Sequence, residues 1–425
     1  MKLLIKNGRV IDPASKLDAE SDILVEDGRI AKVKEKIKGK ADKVIDAKGC
    51  FVMPGFIDLH VHLRDPGFEE KETVVTGAKA AARGGFTTIL AMPNTKPVVD
   101  NADVVNYVHQ KAKNLAPVHV LQIGAVTKGQ EGRKLADIKK MVQAGSPAIS
   151  EDGKSVMNTE LYYRAMQVAK EEGIPVFAHC EDKKLMHGGV MNAGERAKEL
   201  EMPGILNEVE DIIVARDIVL AGSIGVHLHL CHCSTAKSVW MVKQAKENGM
   251  PVTAEACPHH FTLSQEDITA DDANFKMNPP LRSVKDVDAI REGLKNGAID
   301  VIATDHAPHT AVEKGQSMKR APFGVVGLET AAAVTYSELV LKDYLTPMQM
   351  AEKLSYNPAK VIGSDKGTLQ EGSAADIVIF DPNQNYTIQA KEFAGKAKNT
   401  PFDNRKVTGK VITTIVSGEV VYSEE

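Results

Sequence analysis

The sequence predicts an α/β protein, a (β/α)8 TIM-like barrel joined to a small β-sandwich domain built from both termini. Three observations predict it. Eight short β-like runs between residues 55 and 309 alternate with stretches of helical period. Both ends of the chain instead alternate apolar and polar residues, as antiparallel hairpins do. Polar, chemistry-bearing side chains also close the eight runs, at the strand ends where a parallel barrel gathers its reactive groups.

In chain order, KLLIKNGRVID, SDILVEDGRIAKV and KVIDAKGCFVMPG read as hairpin strands around Asn-Gly and Asp-Gly turns. The barrel strands follow as GFIDLHVH (55–62), GFTTILAMPN (85–94), VHVLQIGAV (118–126), SPAISED (146–152), IPVFAHCED (174–182), VHLHLCHC (226–233), PVTAEACPHH (251–260) and DVIATDHAPH (300–309). Helix-like stretches such as 159–173, 234–249 and 287–297 lie between them, each ended by glycine. GSAADIVIFDP and GKVITTIVSGEVVYSEE return to the alternating pattern. Neither terminus has enough strands to bury a face alone, so the two are expected to pack together. The expected division is 1–52 with 365–425 as the β-domain and 53–364 as the barrel.

Composition narrows the function classes. A net charge of −4 over 425 residues gives no basic field for nucleic acid. No apolar run approaches the roughly 18 residues of a membrane span, and the opening MKLLIKNGRV is broken by Lys6, Asn7 and Arg9. A cytoplasmic protein is expected. Five cysteines, an odd count in a long chain, argue against a disulfide framework. Cys231 and Cys233 read as strand packing because no second Cys pair stands at structural-zinc spacing.

His60 and His62 have the two-residue period of a strand, which aims both imidazoles at one face about 7 Å apart. Such a pair alone is equally compatible with a barrel-lining role. His179 and His232 close the fifth and sixth runs, Asp152 the fourth and Asp305 the eighth. Six nitrogen and oxygen donors converging on one mouth point to metal, with zinc favoured over manganese, cobalt or iron. Six exceed the needs of one catalytic zinc, so two ions sharing a carboxylate are expected, with Asp152 as the bridge. The alternation is expected to carry Arg64 to the same face as His60 and His62. His227 and His229 stand an odd number of residues from His232 and are expected to face away from it. His259 and His260, after Pro258, are candidates for touching substrate or the ligands, and His187 is expected to be solvated.

The ordered motifs PGFIDLHVHLRDPG, AMPNTKPVVDN, ISEDGKSV, FAHCED, HLCHCSTAKSV, EACPHHFTL, KMNPPLR, DVIATDHAPH and APFGVVGLET closely resemble the dihydroorotases of the amidohydrolase superfamily, long bacterial class (class I). The resemblance spans nearly the whole chain. It implies that His60 and His62 hold one zinc and His179 and His232 the other, that Asp152 bridges them, and that Asp305 is both ligand and catalytic acid/base. It also implies substrate contacts from His62, Arg64, Asn94, Asn278, His309, Phe323 and Gly324. Many superfamily members bridge their metals with a carbamylated lysine, whereas ISEDGKSV offers Asp152, and Gly153 is expected to turn Lys154 away.

The implied reaction is the zinc-dependent, reversible cyclisation of N-carbamoyl-L-aspartate to L-dihydroorotate and water, a step of pyrimidine synthesis. The alternatives are another cyclic-amide hydrolase, an allantoinase or dihydropyrimidinase, or a catalytically silent scaffold. Arg64 beside the histidines favours an anionic substrate, and a silent relative would be expected to lack ligands. Residues 306–324 read as a lid over the site and 264–286 as an insertion carrying Asn278. A homodimer is expected, and association with aspartate transcarbamoylase is expected only at the level of the family.

Overall fold

Asp27 and Gly28, both at positive φ, make the tight turn between the strands Leu17–Glu26 and Arg29–Lys34. Asn7-Gly8 does not make the expected turn. In the computed structural model, which describes residues 2–424, it lies inside the strand Lys2–Asp12 as an irregularity, with Asn7 at φ 60° and a register shift between Ile5 and Gly8. The strand runs through it and turns after Asp12. Lys43–Asp46 and Phe51–Pro54 then pair parallel to Lys2–Asp12.

The two termini share one sheet of eight strands. Phe51–Pro54 pairs antiparallel with Ile377–Thr387, which pairs in turn with Lys406–Val416 and, beyond it, Glu419–Ser423. Leu3, Ile5, Ile23 and Val25 from one end and Ile377, Ile379 and Ile415 from the other form a single apolar cluster. Neither terminus could bury those side chains alone.

The eight barrel strands are Phe56–Val61, Phe86–Ala91, His119–Gln122 continued by Gly124–Ala125, Ile149–Ser150, Val176–Ala178, Leu228–Leu230, Val252–Ala256 and Val301–Ile302. All neighbours pair parallel. The barrel closes between strands one and eight. Val61 bridges His306, the His62 N–H donates to the His306 carbonyl at 2.8 Å, and buried Asp58 accepts from the N–H and hydroxyl of Thr304. Ile57, Leu59, Leu90, Met92, Phe177 and Val301 fill the barrel interior. Strand neighbours such as Ile89, Ala91, Val176 and Leu228 face the outer helices.

Helices Val74–Arg83, Ala102–Leu115, Thr159–Glu171, Ala236–Glu247 and Val284–Asn296 each start at a Ser, Thr or Asn whose side chain accepts a first-turn N–H. The last of these begins inside the stretch read as an insertion, so the loop after strand seven is shorter than 264–286. Among the described residues no helix is long and apolar enough to cross a membrane.

Candidate metal centre

His60 lies within strand one, but the other five donors and Arg64 follow the last residue of their strands. Strand one stops at Val61, strand six at Leu230 and strand eight at Ile302. Arg64, His232 and Asp305 then adopt φ of 62°, 35° and 48°. Non-glycine residues rarely occupy this region, and such strain, of order 1–3 kcal/mol each, collects where side chains must be aimed.

Two expectations from strand parity fail for this reason. Alternation does not carry Arg64 to the face of His60 and His62, because the register shifts between Asp58 and Val61 and the strand ends there. A left-handed turn brings Arg64 to the mouth instead. Likewise His229 is not turned away from the site. It sits fully buried inside the barrel, 4.7 Å from the Phe177 ring, and its Nε2 is 3.0 Å from Glu255 Oε2. His227 is held by Thr253.

The six expected donors meet at one point, all buried. Asp152 is central. Its Oδ1 lies 3.2 Å from His60 Nε2, 3.5 Å from His179 Nδ1 and 3.7 Å from His232 Nε2, and its Oδ2 lies 3.4 Å from His62 Nε2. Asp305 Oδ1 lies 3.1 Å from His62 Nε2 and 3.5 Å from His60 Nε2. His179 Nδ1 and His232 Nε2 face each other at 2.9 Å. His60 Nε2 and Asp152 Oδ1 have no hydrogen-bond partner although both are buried. Leaving such atoms unpaired is costly, and lone pairs turned on one another are what a cation satisfies. The donor set therefore fits a metal. Lys154 follows Gly153, at φ 76°, and is exposed.

The remaining ring nitrogens of His60 and His179 are fixed by two glutamates that the motif reading passed over, and that of His62 by Asn94. Glu255 Oε1 stands 2.7 Å from His60 Nδ1 and also accepts the His232 N–H at 3.1 Å. This directs the His60 proton to Nδ1 and its lone pair to the centre. A glutamate interrupting the apolar run VTAEA was the available signal. Glu181, two residues after His179, lies 3.4 Å from His179 Nε2 and accepts from the Asn278 amide. Asn94 Oδ1 stands 2.9 Å from His62 Nδ1, so Asn94 holds a ligand as well as lining the cavity.

The charges agree with this picture. Burial alone would raise the Asp152 and Asp305 carboxyls, but positive charge on His60 and the other surrounding imidazoles holds both well below the usual carboxylate range. Burial would lower His179, yet the neighbouring carboxylates of Asp152 and Glu181 bring it up to about 10. In both cases the cluster calls for positive charge at its centre.

Above the donors opens a cavity of about 360 Å³. Arg64, Asn94, Asn278, His309, Phe323 and Gly324 all line it. His309 Nε2 lies 2.8 Å from the Phe323 carbonyl, which places the ring proton on Nε2. The 3.3 Å contact from Arg64 Nη2 to the same nitrogen is then packing rather than a hydrogen bond. Arg64 keeps one tie to the backbone, Nε to the Pro308 carbonyl at 3.2 Å, and its Nη groups stay free for a ligand. The Gly324 N–H is already engaged by the Lys276 carbonyl at 3.0 Å, so of that dipeptide only the Phe323 N–H is free to donate. His259 and His260 are buried outside the cavity lining, His260 donating to the Pro279 carbonyl, and His187 is exposed.

The profile of the amidohydrolase family matches residues 51–421. The chain belongs to the amidohydrolase family. This amidohydrolase is 49% identical to a dihydroorotase of Pelotomaculum thermopropionicum over 100% of its own length and 99% of that protein. It is 47% identical to a dihydroorotase of Clostridioides difficile, over 99% and 100% of the two chains. The resemblance read from the motifs therefore holds along the whole amidohydrolase chain. Among solved structures, the L-hydantoinase of Arthrobacter aurescens superposes with a TM-score of 0.89 at 27% identity, covering 99% of this chain and 96% of that one. The dihydropyrimidinase of Brevibacillus agri gives 0.86 at 26%, over 100% and 95%. These likenesses bear out the barrel with its terminal β-domain.

Proposed function

We propose that this amidohydrolase is a hydrolase of cyclic amides that interconverts N-carbamoyl-L-aspartate and L-dihydroorotate, the dihydroorotase step of de novo pyrimidine synthesis. Identity of 44–49% over essentially the full chain to proteins named dihydroorotase carries the reading. The hydantoinase and dihydropyrimidinase neighbours share the fold at only 26–27% identity, which weighs against the alternative cyclic-amide substrates.

His60, His62 and Asp305 would hold one zinc ion and His179 and His232 a second, with Asp152 between them. Asp152 lies within 3.2–3.7 Å of all four imidazoles, which supports its place between the ions. When bound, such ions polarise a carbonyl oxygen and activate water for attack. Arg64 binds the α-carboxylate through its Nη hydrogens, a charge-assisted pairing that fixes the ring over the donors. Asn94, Asn278, His309 and the Phe323 N–H complete the polar wall, and Gly324 lets the backbone approach. In ring opening, water adds across the amide C–N bond. Asp305 takes the proton of the attacking water on a carboxylate oxygen and returns it to the departing nitrogen. Ring closure runs the same transfers backwards.

Residues 53–364 carry the catalytic barrel and 1–52 with 365–425 the β-domain in this reading, the β-domain strand Phe51–Pro54 running two residues past that boundary. The enzyme works in the cytoplasm as a homodimer, and association with aspartate transcarbamoylase is an expectation of the family that co-sedimentation tests. The deciding assay follows ultraviolet absorbance as zinc-restored protein interconverts the two compounds. Faster turnover of allantoin or dihydrouracil would move the assignment.

A further inference from the structure

The stretch 306–324 after strand eight carries His309 and Phe323 to the cavity, yet it has little secondary structure to hold it. Its only helix is the single turn Ala311–Lys314, and Pro322 donates no N–H to any ladder. Its carbonyls must still be satisfied where they are buried. Two lysines do this from beneath. Lys314 Nζ donates to the carbonyls of Lys276 at 3.1 Å, Pro322 at 3.1 Å and Gly324 at 2.8 Å. Lys276 Nζ donates to those of Met318 and Ala321, each at 2.6 Å, and lies 4.3 Å from the centre of the Phe323 ring. Each lysine is 8% exposed or less.

Burying an ammonium without a carboxylate in contact is expensive. No acidic side chain forms an ion pair with either group among the described residues; all their bonds go to backbone carbonyls. Burial, and then the charge of Lys276, bring Lys314 down to about 7, so the arrangement strains its own charge state. What it provides is a fixed backbone. The carbonyls of Ala321, Pro322 and Gly324 are held by lysine, that of Phe323 by His309, and Asn399 adds an amide to Gly324.

We propose that Lys276 and Lys314 are positioning residues, two buried ammonium groups that hold residues 318–324, and through them His309 and the Phe323 N–H, at the mouth of the metal cavity. The inference rests on the proposed reaction only for the identity of what that mouth binds. Neither lysine touches the reacting atoms. Their loss affects binding of the anionic ligand rather than the chemical step.

The test compares zinc-loaded wild type with Lys276→Met and Lys314→Met, each keeping the apolar stem. KM for dihydroorotate should rise at least tenfold while kcat stays within about threefold and zinc content is unchanged. Trypsin should cut after Lys319 or Arg320 at least tenfold faster than in wild type, and substrate should slow that cut. KM and cleavage rates at wild-type values, or a kcat loss that follows metal loss, would overturn the proposal. Should either Met variant fail to fold, Lys314→Gln, which retains an amide donor, gives the same comparison. A wild type that turned over no dihydroorotate would sink the proposed reaction, while the cleavage rates would still decide the role of the lysines.

Discussion

His60 Nε2 and Asp152 Oδ1 stand 3.2 Å apart, fully enclosed, and neither has a hydrogen-bond partner. Around them, four imidazoles and two carboxylates are packed closely enough that protonation alone cannot pair every lone pair. A bound cation resolves the conflict, and binding that favours the folded form raises stability by mass action, about 2.7 kcal/mol per site at a hundredfold excess over Kd. Removing metal with a chelator should therefore lower the melting temperature, and zinc should restore it. Identical melting curves with and without zinc would contradict the donor cluster as a metal site.

Glu255 joins His60, His229 and the His232 N–H in one buried network. The charge of His60 and the bonds from His229 and His60 overcome burial and hold its carboxyl down at about 2. Partners of this kind orient a ligand and raise its basicity, and their loss typically costs 10–100-fold in metal affinity. Glu255→Gln should weaken zinc binding by about that factor, read by competition with a chromogenic chelator.

The sequence made the eight strands, the six donors and the β-domain legible because apolar period and strand-end chemistry are local signals. Direction was not local. Arg64 and His232 lie beyond the last residue of their strands and turn through positive φ, so extrapolated parity misjudged how Arg64 reaches the mouth and what His229 does. The Asn7-Gly8 pair carried a turn signature, but the Lys2–Asp12 strand absorbs it because pairing with Leu17–Glu26 continues on both sides. No sequence pattern marks Lys276 or Lys314, because only the folded loop gives them carbonyls to hold.

Arg64 has a single backbone tie and free Nη groups at the cavity wall. Hydrogen bonds to charged groups contribute roughly 1.5–3 kcal/mol each. Arg64→Met should raise KM for both carboxylated compounds by 10- to 100-fold, with a smaller change in kcat. Steady-state kinetics in both directions would check it, and an unchanged KM would remove Arg64 from carboxylate recognition.

Asp305 combines a 3.1 Å approach to His62 Nε2 with a place in the cavity lining. A positioned acid/base contributes about 10²–10⁴ to rate. Asp305→Asn preserves shape and one oxygen, so zinc should be largely retained while kcat falls by at least about a thousandfold. Elemental analysis beside the rate separates the two roles. A near-normal rate would rule out Asp305 as the proton carrier.

Asp376 fastens the β-domain to the barrel. Its carboxylate accepts from Lys366 Nζ at 2.5 Å and from the Ser417 N–H at 2.8 Å, and stands 3.3 Å from His119 on barrel strand three. Burial alone would raise this carboxyl, but His119 and Lys366 outweigh it and hold it at about 2, against an ordinary value of 3.8. The folded form thus keeps its charge to lower pH than the unfolded form. The stabilisation, roughly 2 kcal/mol, is complete above about pH 4, erodes as the unfolded chain takes up its proton, and is gone below about pH 2. Asp376→Asn should lower unfolding free energy by about that amount at pH 7 and flatten the loss of stability between pH 4 and 2. Denaturant titrations at pH 7, 4 and 3 would measure it. If wild type and variant differed by the same amount at all three pH values, the carboxylate's charge would not be what joins the two parts.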